Sequence, residues 1–309
     1  MQIPIPNDPL EDMIRTLNLD AAHGARTTED IFVGPSQWMP HGRVFGGQVL
    51  AQCLVAAQRT VGTEATSNSE APMEDRVVHS LHGYFLRPGD IRQPITFSVD
   101  RLRDGRSFST RRVQAFQDGQ PIFSMIASFQ VHDPGLVHQE AMPTDVPEPE
   151  SLPSAASIMG DNPHPVAQYW AKARPFDLRH VEAPIYFEVA EGQRVPHQAV
   201  WLKALGELPA DPALHRAALA YVSDYTILES IYRAHGIAWT HPGLKSASLD
   251  HAMWFHNEPN VNDWLLYVQE SPAAQGGRGL ALGKIFNRDG LLIATVAQEG
   301  MVRVPELRD

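Results

Sequence analysis

Residues 44–61 read Val-Phe-Gly-Gly-Gln-Val-Leu-Ala-Gln-Cys-Leu-Val-Ala-Ala-Gln-Arg-Thr-Val. Apolar side chains recur here every three or four residues, which is the pattern of one helix face. The residues on that face are Leu50, Cys53, Leu54, Ala57 and Val61. Gly46 and Gly47 precede them and give the chain a flexible approach to the helix. The stretch therefore predicts an amphipathic helix.

The segments after this helix have the composition of β-strands. Four runs are rich in β-branched and aromatic residues, namely 77–86, 95–103, 108–117 and 121–131. They are separated by Pro88-Gly89, Asp104-Gly105 and Asp118-Gly119, and Asp-Gly is a strong hairpin signal. With an earlier strand predicted at 30–33, this part of the chain is predicted to be one helix on an antiparallel sheet.

The second part of the chain repeats this plan. A long helix is predicted at 212–235, with Gly236 as its C-cap, and an early strand at 176–180. Later strands are predicted at 248–256, 264–270, 280–286 and 291–304. Three landmarks recur at nearly constant offsets: His82 and His251 at 169, Arg106 and Arg278 at 172, and Gly119 and Gly290 at 171. The pattern predicts a duplicated α+β unit.

The two units are joined by a segment rich in Pro, Ser, Glu and Asp, without a sustained period. We therefore predict an N-terminal domain over residues 1–135, a connecting segment over 136–168 and a C-terminal domain over 169–309.

The composition excludes several classes of protein. The 309 residues carry a formal net charge of -11, which argues against a nucleic-acid-binding surface. Cys53 is the single cysteine, so a reducing compartment is favoured. The N-terminus lacks the pattern of a secretory signal, and no apolar run approaches the roughly 20 residues of a membrane span. A cytoplasmic location is predicted.

Six blocks in order resemble the acyl-CoA thioesterase II family. They are residues 45–52, 78–90, 101–113, 219–224, 249–256 and 296–300. The resemblance extends from about Leu17 to Val304. It implies a double hot-dog fold, in which each long helix is wrapped by its sheet and the two sheets join. It also implies a thioester hydrolase that converts fatty acyl-CoA to free fatty acid and CoA, without a cofactor. Hot-dog sheets often associate, so a homo-oligomer is expected.

The family's catalytic set is an Asp, a Thr or Ser, and a Gln that hold and activate a water. Matched by motif, these are Asp224, Ser248 and Gln298. The middle position is usually Thr, and Ser248 rotates more freely than a β-branched residue. By the repeat, Gln298 corresponds to Ala127, so one active site per chain is predicted.

The same residues can be interpreted without the family. The helical neighbours of Asp224 form a largely apolar face, where a carboxylate is costly unless it is paired or functional. It is either a general base with a raised pKa or a carboxylate bonded at the edge of that face. Ser248 and Gln298 can each donate and accept a hydrogen bond, and only the trio together indicates catalysis.

Other candidates have an ordinary alternative. His79 is either a catalytic histidine or, as we favour, a strand histidine bonded within the sheet. Gly46 and Gly47 offer N–H groups to a developing oxyanion or serve close packing. The arginines Arg101, Arg103 and Arg106 suit the phosphates of CoA or form a solvated strand face. Cys53 is interpreted as core filler, and no metal site is predicted.

Two alternative functions remain open. Hot-dog enoyl-CoA hydratases use an Asp followed five residues later by His, whereas Glu229 stands at that distance from Asp224. A non-catalytic acyl-CoA binding or sensing protein would keep the tunnel and lose a member of the trio. All three positions hold competent groups, so the enzyme is favoured.

Overall fold

The computed structural model describes residues 5–21, 29–61 and 76–305. Helices and strands are numbered in chain order. The first half contains α1 (Pro9–Leu17), β1 (Asp20–Ala21), β2 (Asp30–Gly34), α2 (Gly46–Arg59), β3 (Arg76–Phe85), β4 (Ile95–Asp104), β5 (Phe108–Gln117) and β6 (Gln120–Val131). The predicted helix and the predicted strands of this half are confirmed.

The second half repeats this order after two short helices. It contains α3 (Ala155–Met159), α4 (Pro165–Lys172), β7 (Phe176–His180), β8 (His197–Ala204), α5 (Pro212–Ser223), α6 (Glu229–Ala234), β9 (Lys245–Ser248), β10 (Asp250–Phe255), β11 (Leu265–Gln275), β12 (Arg278–Asn287) and β13 (Leu292–Arg303).

The described strands form one continuous antiparallel sheet, in the order β1-β2-β4-β5-β6-β3-β10-β13-β12-β11-β8-β7, with β9 paired to β13. The order on one side of the β3–β10 pair is repeated on the other side. His82 on β3 lies opposite Ala252 on β10, so the two halves join at the centre of the sheet. The predicted duplication and α+β class agree with this double hot-dog architecture.

One correspondence predicted from the sequence is wrong. The strand at 176–180 exists, but its place in the sheet is outside β8, so it corresponds to β1 and not to β2. The counterpart of β2 is β8, which was not predicted. Its residues Ala199, Val200, Trp201 and Leu202 are all buried. Because both faces are covered, the alternation that reveals a half-buried strand is absent.

The segment between the halves covers the outer face of β8. Met142, Val146 and Leu152 pack against a buried cluster that includes Trp201 and Trp264, and Trp201 Nε1 donates to the carbonyl of Pro147 at 2.9 Å. The later part of the segment forms α3 and the start of α4, and α4 crosses the boundary expected at residue 168. The segment is thus a packed element of the C-terminal half.

The helix predicted at 212–235 is interrupted. Helix α5 ends at Ser223, and α6 begins at Glu229. The residues between form tight turns, with Tyr225 N donating to Val222 O at 3.1 Å and Glu229 N to Thr226 O at 2.9 Å. The apolar periodicity continues through these turns, so the break is invisible in the sequence. Asp224 is therefore the C-cap of α5 and not a mid-helix residue.

The strand predicted at 248–256 is also interrupted. Strand β9 pairs with β13, where Ser248 lies opposite Gly300, whereas β10 pairs with both β3 and β13. Leu249 stands at the junction, and its N–H donates to the carbonyl of Glu299 at 2.9 Å. This junction places Ser248 at the end of a short strand that faces α5.

The two main helices pack against each other inside the sheet. Leu50 and Cys53 of α2 are fully buried. A Cβ at Gly47 would lie 2.2 Å from the carbonyl oxygen of Tyr221 on α5, so the helices approach too closely there for any side chain. This contact brings the start of α2 to the end of α5.

Candidate active site

A pocket of about 720 Å³ opens where the two helices meet. Its wall is formed by the start of α2, the end of β3, α4, the turn after α5 and the end of β9. Apolar residues supply much of the lining, among them Val49, Phe85, Phe123, Leu228 and Leu249. Asp224 and Ser248 also line it. An apolar pocket with few polar groups is typical of a site for a small-molecule acyl substrate.

Asp224, Ser248 and Gln298 are brought together, as the sequence predicts. Asp224 Oδ1 accepts a hydrogen bond from Ser248 Oγ at 3.1 Å and another from Gln298 Nε2 at 2.9 Å. Gln298 Nε2 also donates to Ser248 Oγ at 2.8 Å. Gln298 itself is fully buried on β13. Ser248 and Gln298 stand 24 and 74 positions after Asp224 in the sequence, and the three side chains form one closed hydrogen-bonded set.

The environment of Asp224 makes it a base near neutral pH. Burial raises the pKa of its carboxyl from 3.8 to about 6, because an apolar surrounding disfavours the charged form. Hydrogen bonds from Gln298, Ser248 and the backbone N–H of Gly47 oppose this rise. A carboxylate with a pKa close to the working pH can take a proton from water and give it up again.

Two further residues hold the glutamine in place. His251 on β10 is fully buried, and its Nδ1 contacts Gln298 Oε1. Burial lowers the pKa of His251 to about 4, so the ring is neutral. Its Nδ1–H then donates to Oε1, and its Nε2 accepts from Ser223 Oγ at 3.0 Å. This arrangement directs the amide N–H groups of Gln298 toward Asp224 and Ser248.

His251 was noted in the sequence only as a landmark of the repeat, and Ser223 was not singled out. The sequence contains a signal for the histidine in hindsight, because it stands three residues after Ser248 and within the block 249–256. A buried histidine on a strand is otherwise indistinguishable from core.

The glycine pair lies against the carboxylate. A Cβ at Gly46 would be 2.6 Å from Asp224 Oδ2, and the Gly47 N–H bonds to the same carboxylate. Phe45, the N-cap of α2, provides no side-chain cap. The Gly47 N–H is therefore taken up by Asp224, and the N–H of Gly46, which lines the pocket, has no side-chain cap from Phe45.

His79 and the candidate arginines lie elsewhere. His79 Nε2 is 2.8 Å from Ser128 Oγ, which agrees with the favoured interpretation of a bonded strand histidine, and burial lowers its pKa. Arg101 pairs with Asp30 at 2.8 Å. The pocket lining includes neither His79 nor Arg101, Arg103 or Arg106. The strand motif that carries these arginines is distant in the fold from the end of α5.

The arginines that do line the pocket are Arg43, Arg87 and Arg174. Arg43 and Arg87 are exposed, whereas Arg174 is buried. Sequence reasoning missed all three, because Arg43 and Arg87 stand singly in loops and Arg174 follows a short helix in the connecting segment.

The first half has no matching set. Helix α2 contains no Asp or Glu, and Ala127 on β6 is fully buried core. Cys53 is also core, and burial raises its pKa well above the usual value. Among residues 5–21, 29–61 and 76–305, no group of three or more His, Cys, Asp or Glu side chains is arranged to hold a metal ion. Within these ranges, no helix has the length and apolarity to span a membrane.

Solved structures share this architecture. The chain aligns with the acyl-CoA thioesterase II TesB2 from Mycobacterium marinum at 40% identity and a TM-score of 0.71, covering 95% of this chain and 98% of that one. A hot-dog protein from Alicyclobacillus acidocaldarius aligns at 21% identity and a TM-score of 0.73, covering 95% of this chain and 98% of that one; it bears on the fold alone. The fold and the 40% identical relative together indicate a thioester hydrolase of the double hot-dog type.

Sequence comparisons are more specific. The model of the acyl-CoA thioesterase family matches residues 172–301, and that of the acyl-CoA thioesterase N-terminal domain matches residues 34–130. Acyl-CoA thioesterase 2 from Haemophilus influenzae is 38% identical over 307 residues, which cover 97% of this chain and all of the relative. The chain belongs to the acyl-CoA thioesterase family.

Proposed function

We propose that the protein hydrolyses fatty acyl-CoA to free fatty acid and CoA, with a water activated by Asp224, Ser248 and Gln298. The observation that carries this proposal is the half-buried Asp224 carboxylate, with a pKa of about 6, bonded to two neutral side chains at the wall of a largely apolar pocket. The names of the relatives support acyl-CoA as the substrate.

The reaction is one of direct attack by water. Asp224 takes one proton from the water, while the oxygen of the water forms a bond to the thioester carbon. The carbonyl π electrons move to oxygen and then return as the C–S bond breaks. The CoA thiolate receives the proton from Asp224, so the base is regenerated. Ser248 and Gln298 fix the orientation of the carboxylate and the water. This lowers the entropy cost that a free encounter between water and thioester would have.

The carbonyl oxygen becomes negative during the attack. We propose that the Gly46 N–H, at the first residue of α2, stabilises it, since the Gly47 N–H already donates to the Asp224 carboxylate. The Phe45 side chain does not cap the Gly46 N–H, and Gly46 lies beside Asp224. The positive end of the helix dipole also points to this place.

The CoA moiety must enter from outside. We propose that the exposed Arg43 and Arg87 at the pocket rim contact its phosphates, since arginine forks suit phosphate oxygens. Arg101, Arg103 and Arg106 do not line this pocket. The earlier interpretation of those three as a solvated strand face is therefore preferred.

The two alternative functions have less support. A hydratase of the Asp–His type would need a histidine at Glu229, and that residue is instead buried in contact with His180 and Trp239. An acyl-CoA sensor would not need a carboxylate raised to a pKa of about 6. A homo-oligomer and a cytoplasmic location remain predictions, the first favoured by exposed Tyr84 and Ile126 on the outer sheet face.

The test is release of CoA thiol from acyl-CoAs of several chain lengths. Wild type is compared with Asp224→Ala and with Asp145→Ala, a control at an exposed position. Cys53 is fully buried, so the folded protein adds little thiol background. We expect Asp224→Ala to lose at least about 100-fold in kcat, as for removal of a general base, and Asp145→Ala to match wild type. Wild type that binds acyl-CoA without releasing thiol would refute hydrolysis.

A further inference from the structure

Arg174 is a buried cation without a counterion. It lies between α4 and β7, is 8% exposed and lines the same pocket as Asp224. Its Nε is buried and has no hydrogen-bond partner. Within the part of the chain that the structure describes, no residue forms an ion pair with its guanidinium. A charge taken out of water without a partner is costly.

Two aromatic rings hold this guanidinium. Its Cζ lies 4.6 Å from the centroid of the Trp170 ring and 4.4 Å from that of Tyr225. Cation–π contacts offset part of the desolvation cost, but they satisfy none of the N–H donors. The hydroxyl of Tyr225 is likewise buried and has no partner at ordinary hydrogen-bond distance, although an interaction with the Tyr221 side chain lowers its pKa. Two unsatisfied donors thus stand beside each other at the pocket wall.

Another buried arginine in the chain shows what a structural role requires. Arg111 is 1% exposed, and each of its three guanidinium nitrogens donates a hydrogen bond. Its acceptors include Thr60 Oγ1 at 2.8 Å and Asp104 Oδ1 at 2.7 Å. Arg174 is buried as a structural arginine such as Arg111 is, but it has no hydrogen-bond acceptor comparable with those of Arg111. The Nε of Arg174 therefore lacks an acceptor within the described residues, and a molecule in the pocket that Arg174 lines can supply one.

The position of Arg174 indicates which molecule this is. Arg43 and Arg87 are exposed on the rim, where the highly hydrated phosphates of CoA can remain partly in water. Arg174 instead lies among Tyr169, Trp170, Tyr225 and Trp239, an aromatic wall suited to an acyl group. An anion that reaches this wall arrives with the acyl chain.

We propose that Arg174, assisted by the Tyr225 hydroxyl, binds a carboxylate carried by the acyl group, so that the pocket accepts acyl-CoA substrates that end in a second carboxylate. The shared chemistry is an oxyanion, for which a phosphate of CoA is the other source. The inference rests on the proposed thioesterase function. It makes Arg174 a specificity-determining residue, which does not take part in the activation of water.

The experiment uses pairs of acyl-CoAs of equal chain length, one ending in a methyl group and the other in a carboxylate. Wild type is compared with Arg174→Met, which keeps the length of the side chain and removes its charge. We expect kcat/KM for the carboxylated substrates to fall about 10- to 100-fold, the effect of losing hydrogen bonds to a charged group. The loss on the methyl-ended substrates should be smaller than the loss on the carboxylated ones by that factor, and their retained turnover also shows that the variant is folded.

A second arm uses acyl-pantetheine thioesters, which lack the phosphates of CoA. A loss seen with both kinds of acyl-CoA and absent with both acyl-pantetheines would assign Arg174 to a phosphate and overturn the carboxylate proposal. Equal losses on all four substrates would assign it a structural role and also overturn it.

If Arg174→Met does not fold, a measurement on wild type alone still tests the proposal. Dicarboxylic acids should inhibit more strongly than monocarboxylic acids of equal length, and equal or weaker inhibition would overturn the proposal. Wild type inactive on every acyl-CoA would instead refute the thioesterase function itself. The two failures are therefore distinguishable.

Discussion

At the scale of single residues, the ionised state of Asp224 that the proposed reaction needs also lowers the stability of the fold. Burial raises the pKa of Asp224 from 3.8 to about 6, so the ionised form, which we propose activates water, is the form that the fold disfavours. The donors Ser248 and Gln298 recover part of this cost. Changes at these residues should therefore affect both the pH profile and the stability.

The first prediction concerns the pH dependence of the rate. Only ionised Asp224 can accept a proton, so kcat/KM should rise with pH, reach half its maximum near pH 6 and level off above it. Ser248→Ala removes a donor to the carboxylate, which raises the pKa of Asp224 and moves the acid limb to higher pH. Measured pH–rate profiles, with the exposed Ser157→Ala as control, test this. An unmoved limb would show that Ser248 does not support the carboxylate.

The second prediction concerns stability. The folded pKa of Asp224 lies above its unfolded value, so ionisation destabilises the fold as pH rises from about 4 to above 6. The full cost is about 3 kcal/mol. Asp224→Asn removes this cost along with activity. The free energy of unfolding of Asp224→Asn minus that of wild type should be about 1 to 2 kcal/mol larger at pH 8 than at pH 5. Denaturant titrations at both pH values test this, and a constant difference would contradict it.

The third prediction concerns His251, which positions Gln298. In His251→Leu the amide loses the partner that fixes its orientation, so kcat should fall roughly 10- to 100-fold, as for other small misplacements, with KM little changed. The acid limb should also move to higher pH, because the amide N–H no longer stabilises the Asp224 carboxylate. The exposed His82→Leu is the control. A loss in kcat with the limb unmoved would indicate a merely structural histidine.

At this scale Ser248 and Gln298 were predictable only through the motifs that resemble the family, whereas Asp224 was also conspicuous by its chemistry. A carboxylate on an apolar face, as at Asp224, is unusual enough to be noticed in a sequence. Arg174 is an ordinary arginine until the fold surrounds it with Trp170 and Tyr225. Arg101, Arg103 and Arg106 attracted attention because they are clustered in the chain, whereas the pocket collects arginines from separate loops.

At the scale of elements, the two glycines at the start of α2, Gly46 and Gly47, are required for different reasons. A Cβ at Gly46 would meet the movable carboxylate of Asp224 at 2.6 Å, whereas one at Gly47 would meet the Tyr221 backbone at 2.2 Å. The first contact disturbs the chemistry, and the second disturbs the packing of α2 on α5.

The fourth prediction follows from this difference. Gly47→Ala should destabilise the protein by about 1 to 3 kcal/mol, the usual cost of overpacking. Gly46→Ala should lose kcat with a smaller loss of stability, because a side-chain carboxylate can shift. Thermal unfolding and thiol release, measured on the same samples, compare the two. Gly135→Ala, with open space around it, is the control. Equal stability losses at both positions would contradict the distinction.

Element boundaries were predictable where local signals mark them. Asp118 and Gly119 adopt φ of 48° and 71°, as expected for a tight hairpin turn, and β5 and β6 lie on either side as predicted. The interruptions at Asp224 and Leu249 have no such signal, since the apolar pattern continues across both. They are produced by contacts between halves of the chain, which a local pattern cannot contain.

At the scale of the whole molecule, duplication has left the two halves unequal. Both have a helix on a sheet, and they join through β3 and β10. Only the second half has a carboxylate at its helix break, because α2 contains no acidic residue. The first half contributes Gly46, Phe85 and Phe123 to the pocket that Asp224 lines. The repeat was evident in the sequence; the sharing of a single site between its halves became evident only in the fold.

The last described strand, β13, lies inside the sheet between β10 and β12. A ribosome adds about 5 to 20 residues per second, so β10 is synthesised roughly 2 to 7 seconds before β13 begins, and β12 within about a second of it. Unpaired strand edges are templates for joining other chains, and a message truncated before residue 292 would produce an aggregating fragment. Gln298 arrives on that same strand. The nascent chain therefore gains its active site in the step that closes its open edges.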